Sequence, residues 1–258
     1  MRANATRRTL ESGGTAYGCW LRYSDPALAE YVGYQGWDFL VFDGEHGTLD
    51  PRGCEQLVRA AELREATAIV RVTSNDAPVI GRFMDTGAQG AQIPLVSSAD
   101  DAERAVRAVK YWPRGARGLA ASRSAAYAQE LPLAEYVAWA NAETLVVAQI
   151  ETPEAVRALP AILEVDGIDV IFIGATDLSQ ALGVPGATDA PVVASAIDEI
   201  VRLVVPSRCA LGVLVSSTPA ALRWRDRGAR YIAFTLEAMI RESAQAALTA
   251  LSTVDAVR

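Results

Sequence analysis

One histidine occurs in the 258 residues of this chain, and it sits in Asp43-Gly44-Glu45-His46-Gly47, directly after the apolar run Phe39-Leu40-Val41-Phe42. An imidazole titrates near neutrality and is a usual general acid or base, so chemistry that needs one must happen here. Two carboxylates within three residues of it, on a turn leaving a buried strand, make a polar cluster that has to face solvent or a ligand. Other apolar runs close in the same way. Arg71 follows Ala68-Ile69-Val70, Gln149 and Glu151 flank Ile150, and Asp177 follows Gly174-Ala175-Thr176. Each has a plainer reading. His46 could be a surface residue on a capped turn, Arg71 an ion-pair partner, Glu151 an acid favouring a helix N-terminus, and Asp177 the N-cap of a helix over 178–182. Their coincidence at the ends of apolar runs favours one shared site. Two carboxylates from neighbouring strand ends, with no cysteine or second histidine, form an oxygen-rich site that suits Mg²⁺ or Mn²⁺ better than structural zinc. Two protein ligands leave positions for water and substrate, an arrangement able to polarise a carbonyl and stabilise an enolate. A Schiff-base route is disfavoured, because the single lysine, Lys110, falls near the C-terminal end of a predicted helix, where a cation suits the dipole.

The elements that must position these groups alternate regularly. Short apolar or β-branched runs at 17–21, 39–42, 68–72, 90–94, 145–150, 170–174, 211–215 and 231–234 predict eight strands. Stretches with helical spacing separate them at 26–33, 51–63, 78–86, 99–110, 153–163, 190–204 and 219–227, and 236–251 follows the last. Prolines open several of these helices, and Thr152 is a candidate N-cap. Residues 1–14 read as a short helix ended by Gly13-Gly14. Strands without a polar face belong to a parallel sheet covered by helices. Eight of them favour a closed (β/α)8 barrel formed by a single domain over 1–258, with the site at the C-terminal strand ends. The irregular stretch 113–133 is a candidate active-site loop, since loops of that length are usually functional.

A formal net charge of −7, with no basic stripe, argues against nucleic acid or anionic membrane as partners. No run is long enough to span a bilayer, and residues 1–14 lack a signal-peptide pattern. Cys19, Cys54 and Cys209 are odd in number and widely spaced, which fits a reducing, cytoplasmic location without disulfides. The turns after the seventh and eighth strands lack the glycine-rich cradle of phosphosugar barrels.

Several segments together resemble the HpcH/HpaI family of class II pyruvate aldolases. They are Asp38-Phe39-Leu40-Val41-Phe42-Asp43-Gly44-Glu45-His46-Gly47, Val70-Arg71, Asp85-Thr86-Gly87-Ala88-Gln89-Gly90, Tyr111-Trp112-Pro113-Arg114-Gly115-Ala116-Arg117-Gly118, Gln149-Ile150-Glu151 and the run 167–179. The resemblance implies a TIM barrel of the phosphoenolpyruvate/pyruvate-domain type and metal-dependent cleavage of 4-hydroxy-2-oxo acids to pyruvate and an aldehyde. It implies Glu151 and Asp177 as ligands of Mg²⁺ or Mn²⁺, with Co²⁺ a further candidate, and Arg71 as the stabiliser of the enolate oxygen. His46 would be the acid/base, with Asp85 as its charged partner. Gln149 would touch substrate, and the amides around Gly174, Ala175 and Thr176 would receive its carboxylate. Trp20 and Tyr127 are candidates for shaping the aldehyde pocket, core packing being the favoured role for Trp20. The resemblance also implies a homo-oligomer, a trimer or hexamer, in which 236–257 is exchanged between subunits. Ala175-Thr176 replaces the family's usual proline-containing turn, and Thr235-Leu236-Glu237 replaces its usual Gly-x-Asp. These departures keep open decarboxylation of an oxaloacetate-like acid, or binding of a 2-oxo acid without turnover.

Overall fold

The computed structural model describes residues 2–255. Eight strands, β1 (Ala16–Leu21), β2 (Phe39–Asp43), β3 (Thr67–Arg71), β4 (Gly90–Ile93), β5 (Leu145–Ile150), β6 (Val170–Ile173), β7 (Ala210–Val215) and β8 (Ala229–Thr235), pair in parallel and in sequence order. β1 also pairs with β8, which closes the barrel. Helices α1 (Ala5–Glu11), α2 (Pro26–Gly33), α3 (Pro51–Glu62), α4 (Ala77–Met84), α5 (Ala99–Val109), α6 (Leu133–Glu143), α7 (Pro153–Glu164), α8 (Ala175–Ala181), α9 (Pro191–Val204), α10 (Thr218–Asp226) and α11 (Leu236–Asp255), with a short 3₁₀ segment at Arg123–Ala128, complete the described elements. No helix among the described residues is long and apolar enough to cross a membrane.

The strands are buried on both faces because each side has its own core. Inside the barrel, Trp20, Phe39, Val41, Ile69, Val147, Phe172 and Tyr231 fill the axis. Gly18 is required there: a Cβ on it would lie 2.2 Å from the Phe39 ring, which stacks on Tyr231 at 4.1 Å between centroids. Outside, residues such as Leu40, Phe42, Leu57, Ile80, Val106, Leu159 and Ile200 join strands to helices. Short polar caps set the helix starts, with Asp25, Asp50 and Thr152 accepting from the amides of Leu28, Gly53 and Ala155.

One expectation is corrected, one plainer reading is ruled out and one helix is added. Residues 113–133 follow α5, which carries the chain back to the N-terminal end of the barrel, so this stretch covers the end opposite the strand termini in its own chain. Arg123 there donates to the Thr86 carbonyl at 2.6 Å and Ser124 to the Asp85 carbonyl at 3.3 Å, both groups lying just beyond α4. Tyr127 goes with it and does not approach the Trp20 side. Asp177 is not an N-cap: α8 starts at Ala175 with Gly174 as its cap, which puts Asp177 in the first turn. The helix α6 was not expected from the spacing at all. Helix α11 holds to β8 and β1 by its first turns, and beyond them Ile240, Leu248 and Leu251 are 54, 64 and 63% exposed.

Candidate active site

β2 and β3 place Asp43 and Arg71 side by side, since their Cα atoms are partners in the parallel register. The Arg71 guanidinium forks onto the Asp43 carboxylate, with Nε 2.9 Å from Oδ1 and an Nη 2.6 Å from Oδ2. Asp43 Oδ1 also accepts the backbone amides of Glu45 and His46, each at 3.0 Å, and Oδ2 accepts the Trp20 indole N–H at 3.1 Å. One carboxylate thereby fixes both the arginine and the turn that carries the histidine. Burial pushes the Asp43 pKa up, but the Arg71 bonds and charge outweigh it and hold the group below its ordinary value. The other Arg71 Nη lies 2.7 Å from Glu45 Oε2, and the guanidinium sits over the Trp20 ring at 4.8 Å. Trp20 itself is only 2% exposed and packs on Phe172, so it forms the floor of the site. His46 is exposed at the mouth.

On the other side of the barrel, β5 and β6 present Glu151 and Asp177. A relay of amides holds Glu151: Gln92 donates to Gln149 Oε1 at 2.7 Å, and Gln149 donates to Glu151 Oε2. The backbone N–H of Leu95 donates to Glu151 Oε1 at 2.6 Å. Leu95 has φ of +54°, a left-handed conformation rare for leucine, and it turns that N–H toward the carboxylate. Gly174 gives Glu151 its passage, because a Cβ there would fall 2.6 Å from Oε2. Burial is the main force raising the Glu151 carboxyl to about 7; its hydrogen-bond donors pull it down, and the charges of Glu45 and Asp177 push it up. Burial also raises Glu45, against the pull of Arg71 and His46. Glu45, Glu151 and Asp177 are thus near enough at this end of the barrel for each acid's charge to act on the others.

The structure brings His46, Arg71, Glu151, Asp177, Gln149, Gly174, Ala175, Thr176 and Trp20 to one end of the barrel. Asp85 is the exception. It is the C-cap of α4, at the opposite end, where it accepts from the buried Arg117 at 2.7 Å, so it does not meet His46 of its own chain. A cavity of about 420 Å³ opens at that opposite end beside Arg117, Arg123 and Tyr127. Asp43 belongs to the polar cluster the sequence shows, but its role as the anchor of Arg71 is visible only in the structure, and Gln92 and the Leu95 amide are site groups that the sequence does not mark. The last two act through contacts that no sequence pattern marks.

A closed parallel barrel with an arginine, a histidine and an oxygen-only acid pair at its C-terminal rim defines a carbon–carbon lyase able to stabilise an enolate. The profile of the HpcH/HpaI aldolase/citrate lyase family matches residues 16–242, and the chain belongs to that family. A 4-hydroxy-2-oxovalerate aldolase of Rhodococcus jostii is 36% identical over 248 residues, covering 96% of this chain and 95% of the relative. A hydroxypyruvate/pyruvate aldolase of Roseobacter denitrificans is 33% identical, over 91% of each chain. Among solved structures, an HpcH/HpaI aldolase/citrate lyase family protein of Burkholderia cenocepacia superposes with a TM-score of 0.91 at 28% identity, covering 96% of this chain and 99% of that one.

Proposed function

We propose that the chain catalyses the reversible aldol cleavage of 4-hydroxy-2-oxo acids to pyruvate and an aldehyde, with a divalent metal held by Glu151 and Asp177. The observation that carries this reading is the Arg71 guanidinium, only 5% exposed, fixed by Asp43 at the strand-end rim across from that acid pair. The donor set fits a hard cation such as Mg²⁺, Mn²⁺ or Co²⁺. It offers only oxygens from adjacent strands, Gly174 keeps space beside Glu151, and the crowding of Glu45, Glu151 and Asp177 is relieved by positive charge. Among the described residues no cluster of three or more His, Cys, Asp or Glu side chains forms a ligand set, so water and substrate would fill the remaining positions. When bound, the metal polarises the 2-oxo group.

The chain's own residues supply the rest. The amides of Ala175, Thr176 and Asp177 are free at the first turn of α8 and receive the substrate carboxylate. His46 takes the proton of the 4-hydroxyl as the C3–C4 bond breaks, which releases the aldehyde and leaves the bonding pair in an enolate. Arg71 holds the negative oxygen of that enolate, its fork already oriented by Asp43. Protonation of the enolate carbon then gives pyruvate. Gln149 and Gln92 keep Glu151 in place, a positioning role, since Gln149 is 2% exposed and already engaged.

Proton NMR of pyruvate in D₂O tests this without knowledge of the aldehyde. Methyl exchange is expected on adding Mn²⁺ or Mg²⁺ to metal-stripped protein, and to fall by about 100-fold or more in Arg71→Lys, whose point charge cannot copy the fork. Glu151→Ala should abolish it. Undiminished exchange in both variants would overturn the assignment.

A further inference from the structure

We infer that Arg22 and Glu237 together select the aldehyde partner, and that they favour a neutral aldehyde carrying a hydroxyl beside its carbonyl. The inference rests on the aldolase reading above. Arg22 is the first residue after β1, and Glu237 is the second after β8, so both stand on adjacent strand ends of the closed barrel. In an eight-stranded ring β1 lies across from β5. The pyruvate half of the substrate is assigned to the β5, β6 and β3 side, and His46, which handles the aldehyde oxygen, leaves β2 next to β1. The remainder of the aldehyde therefore extends over β1 and β8. Trp20 is buried beneath that region, which leaves Arg22 and Glu237 as the side chains of the same chain that stand at those two strand ends.

The state of the two groups indicates what they want. Arg22 Nε is 3.7 Å from Asp43 Oδ2, and an Nη is 3.8 Å from Glu237 Oε1, distances too long for hydrogen bonds. Glu237 Oε2 is buried without a partner. A half-exposed guanidinium and a partly exposed carboxylate thus stand beside each other on adjacent strand ends with no hydrogen bond between them, and Oε1, not the buried Oε2, is the oxygen that faces the gap. An oxygen lying beside the 3.8 Å gap can be about 2.9 Å from both groups. A hydroxyl suits that place because it accepts from Arg22 and donates to Glu237. An alkyl group leaves both unsatisfied. A carboxylate would satisfy Arg22 but could not donate to Glu237, and it would enter a mouth where Asp43, Glu45, Glu151, Asp177 and Glu237 still outnumber the charges of Arg22, Arg71 and a bound divalent cation.

The test is competition between acceptors at fixed pyruvate and Mn²⁺, with kcat/KM measured for glyceraldehyde, propanal and succinic semialdehyde. Ratios between aldehydes are taken within one protein, so any change in enolisation or in folded fraction cancels. Glyceraldehyde is expected to exceed propanal by at least about tenfold, the worth of one well-made hydrogen bond, mainly through KM. Arg22→Ala and Glu237→Ala should each bring the ratio toward one, while Arg22→Lys and Glu237→Gln, which retain a donor and an acceptor, should keep part of it. A ratio near one in the unaltered protein, or one unmoved by both alanine substitutions, would overturn the inference. So would a preference for succinic semialdehyde that disappears in Arg22→Ala, since the arginine would then be an anion site. Absence of pyruvate methyl exchange in the unaltered protein would instead overturn the underlying aldolase reading.

Discussion

Asp43 shows how much one buried carboxylate can organise. Its two oxygens receive the Arg71 fork, two turn amides and an indole N–H, so the arginine and the histidine-bearing turn cannot move independently. The acid pair on the other side depends instead on the absence of a side chain. Gly174 caps a short helix at the rim, and in Gly174→Ala the new Cβ would meet Glu151 at both Oε2 (2.6 Å) and Cβ (2.7 Å), so the carboxylate and the local backbone must shift while the rest of the barrel is expected to stay folded. Mn²⁺ affinity, followed by calorimetry, should fall by tenfold or more, in keeping with the usual cost of disturbing a ligand's surroundings. Unchanged affinity in a folded Gly174→Ala protein would show that Glu151 is not a ligand.

At the scale of elements, the strands were readable because both faces are buried, which writes them as unbroken apolar runs with polar residues only at their ends. That is why Arg71, Glu151 and Asp177 could be picked out. The helix α6 was not readable: its buried face, Tyr136, Ala140 and Asn141, is narrow and partly polar, so its spacing gives little signal. The loop 113–133 follows a helix, and a stretch that follows a helix lies at the opposite end of the barrel from one that follows a strand, which its length and composition do not reveal. Lys110, by contrast, proves to serve α6. Its ammonium is 1% exposed and donates to the Asn141 carbonyl at 3.0 Å, to the Thr144 carbonyl and to the Thr144 hydroxyl at 3.1 Å, closing the helix C-terminus. Burial lowers its pKa from 10.5 to about 8; Arg7 and Arg114 add to that, and Asp169 and Asp166 oppose it. Below about pH 8 the lysine is charged in both folded and unfolded chains, and the cost of burying it is fully present. Between about 8 and 10.5 the unfolded chain binds more protons than the folded one, so stability rises with pH. The unfolding free energy of the natural protein relative to Lys110→Met should therefore grow through this window, by at most about 1.4 kcal/mol per pH unit. A difference that stays flat from pH 7 to 10 would mean the ammonium is not desolvated.

At the scale of the whole molecule, Asp85 is the residue whose place in the chain disagrees with the role the family resemblance implied for it. It caps α4 at the far end of the barrel, 42% exposed at its side chain and paired with Arg117, while His46 is exposed at the near end. A single chain cannot bring them together without unfolding the barrel. Two chains can, and α11 gives an independent reason to expect an assembly, because a helix that leaves Ile240, Leu248 and Leu251 in water beyond its first turns has an apolar surface to cover. The span expected to be exchanged, 236–257, reaches two residues past the described ones. If Asp85 of one copy supports His46 of another, then His46→Ala and Asp85→Ala proteins should each be slow, yet mixing them should restore activity. Mixed assemblies contain sites whose histidine and aspartate both come from unaltered positions. Dissociating and reassembling the two variants at equal concentration should give an aldol rate several-fold above either alone, approaching about a quarter of the natural rate if each site draws its two residues at random from the two kinds of chain. Mixed assemblies, verified by mass, that show no gain would confine Asp85 to its bond with Arg117 and leave His46 to work without it.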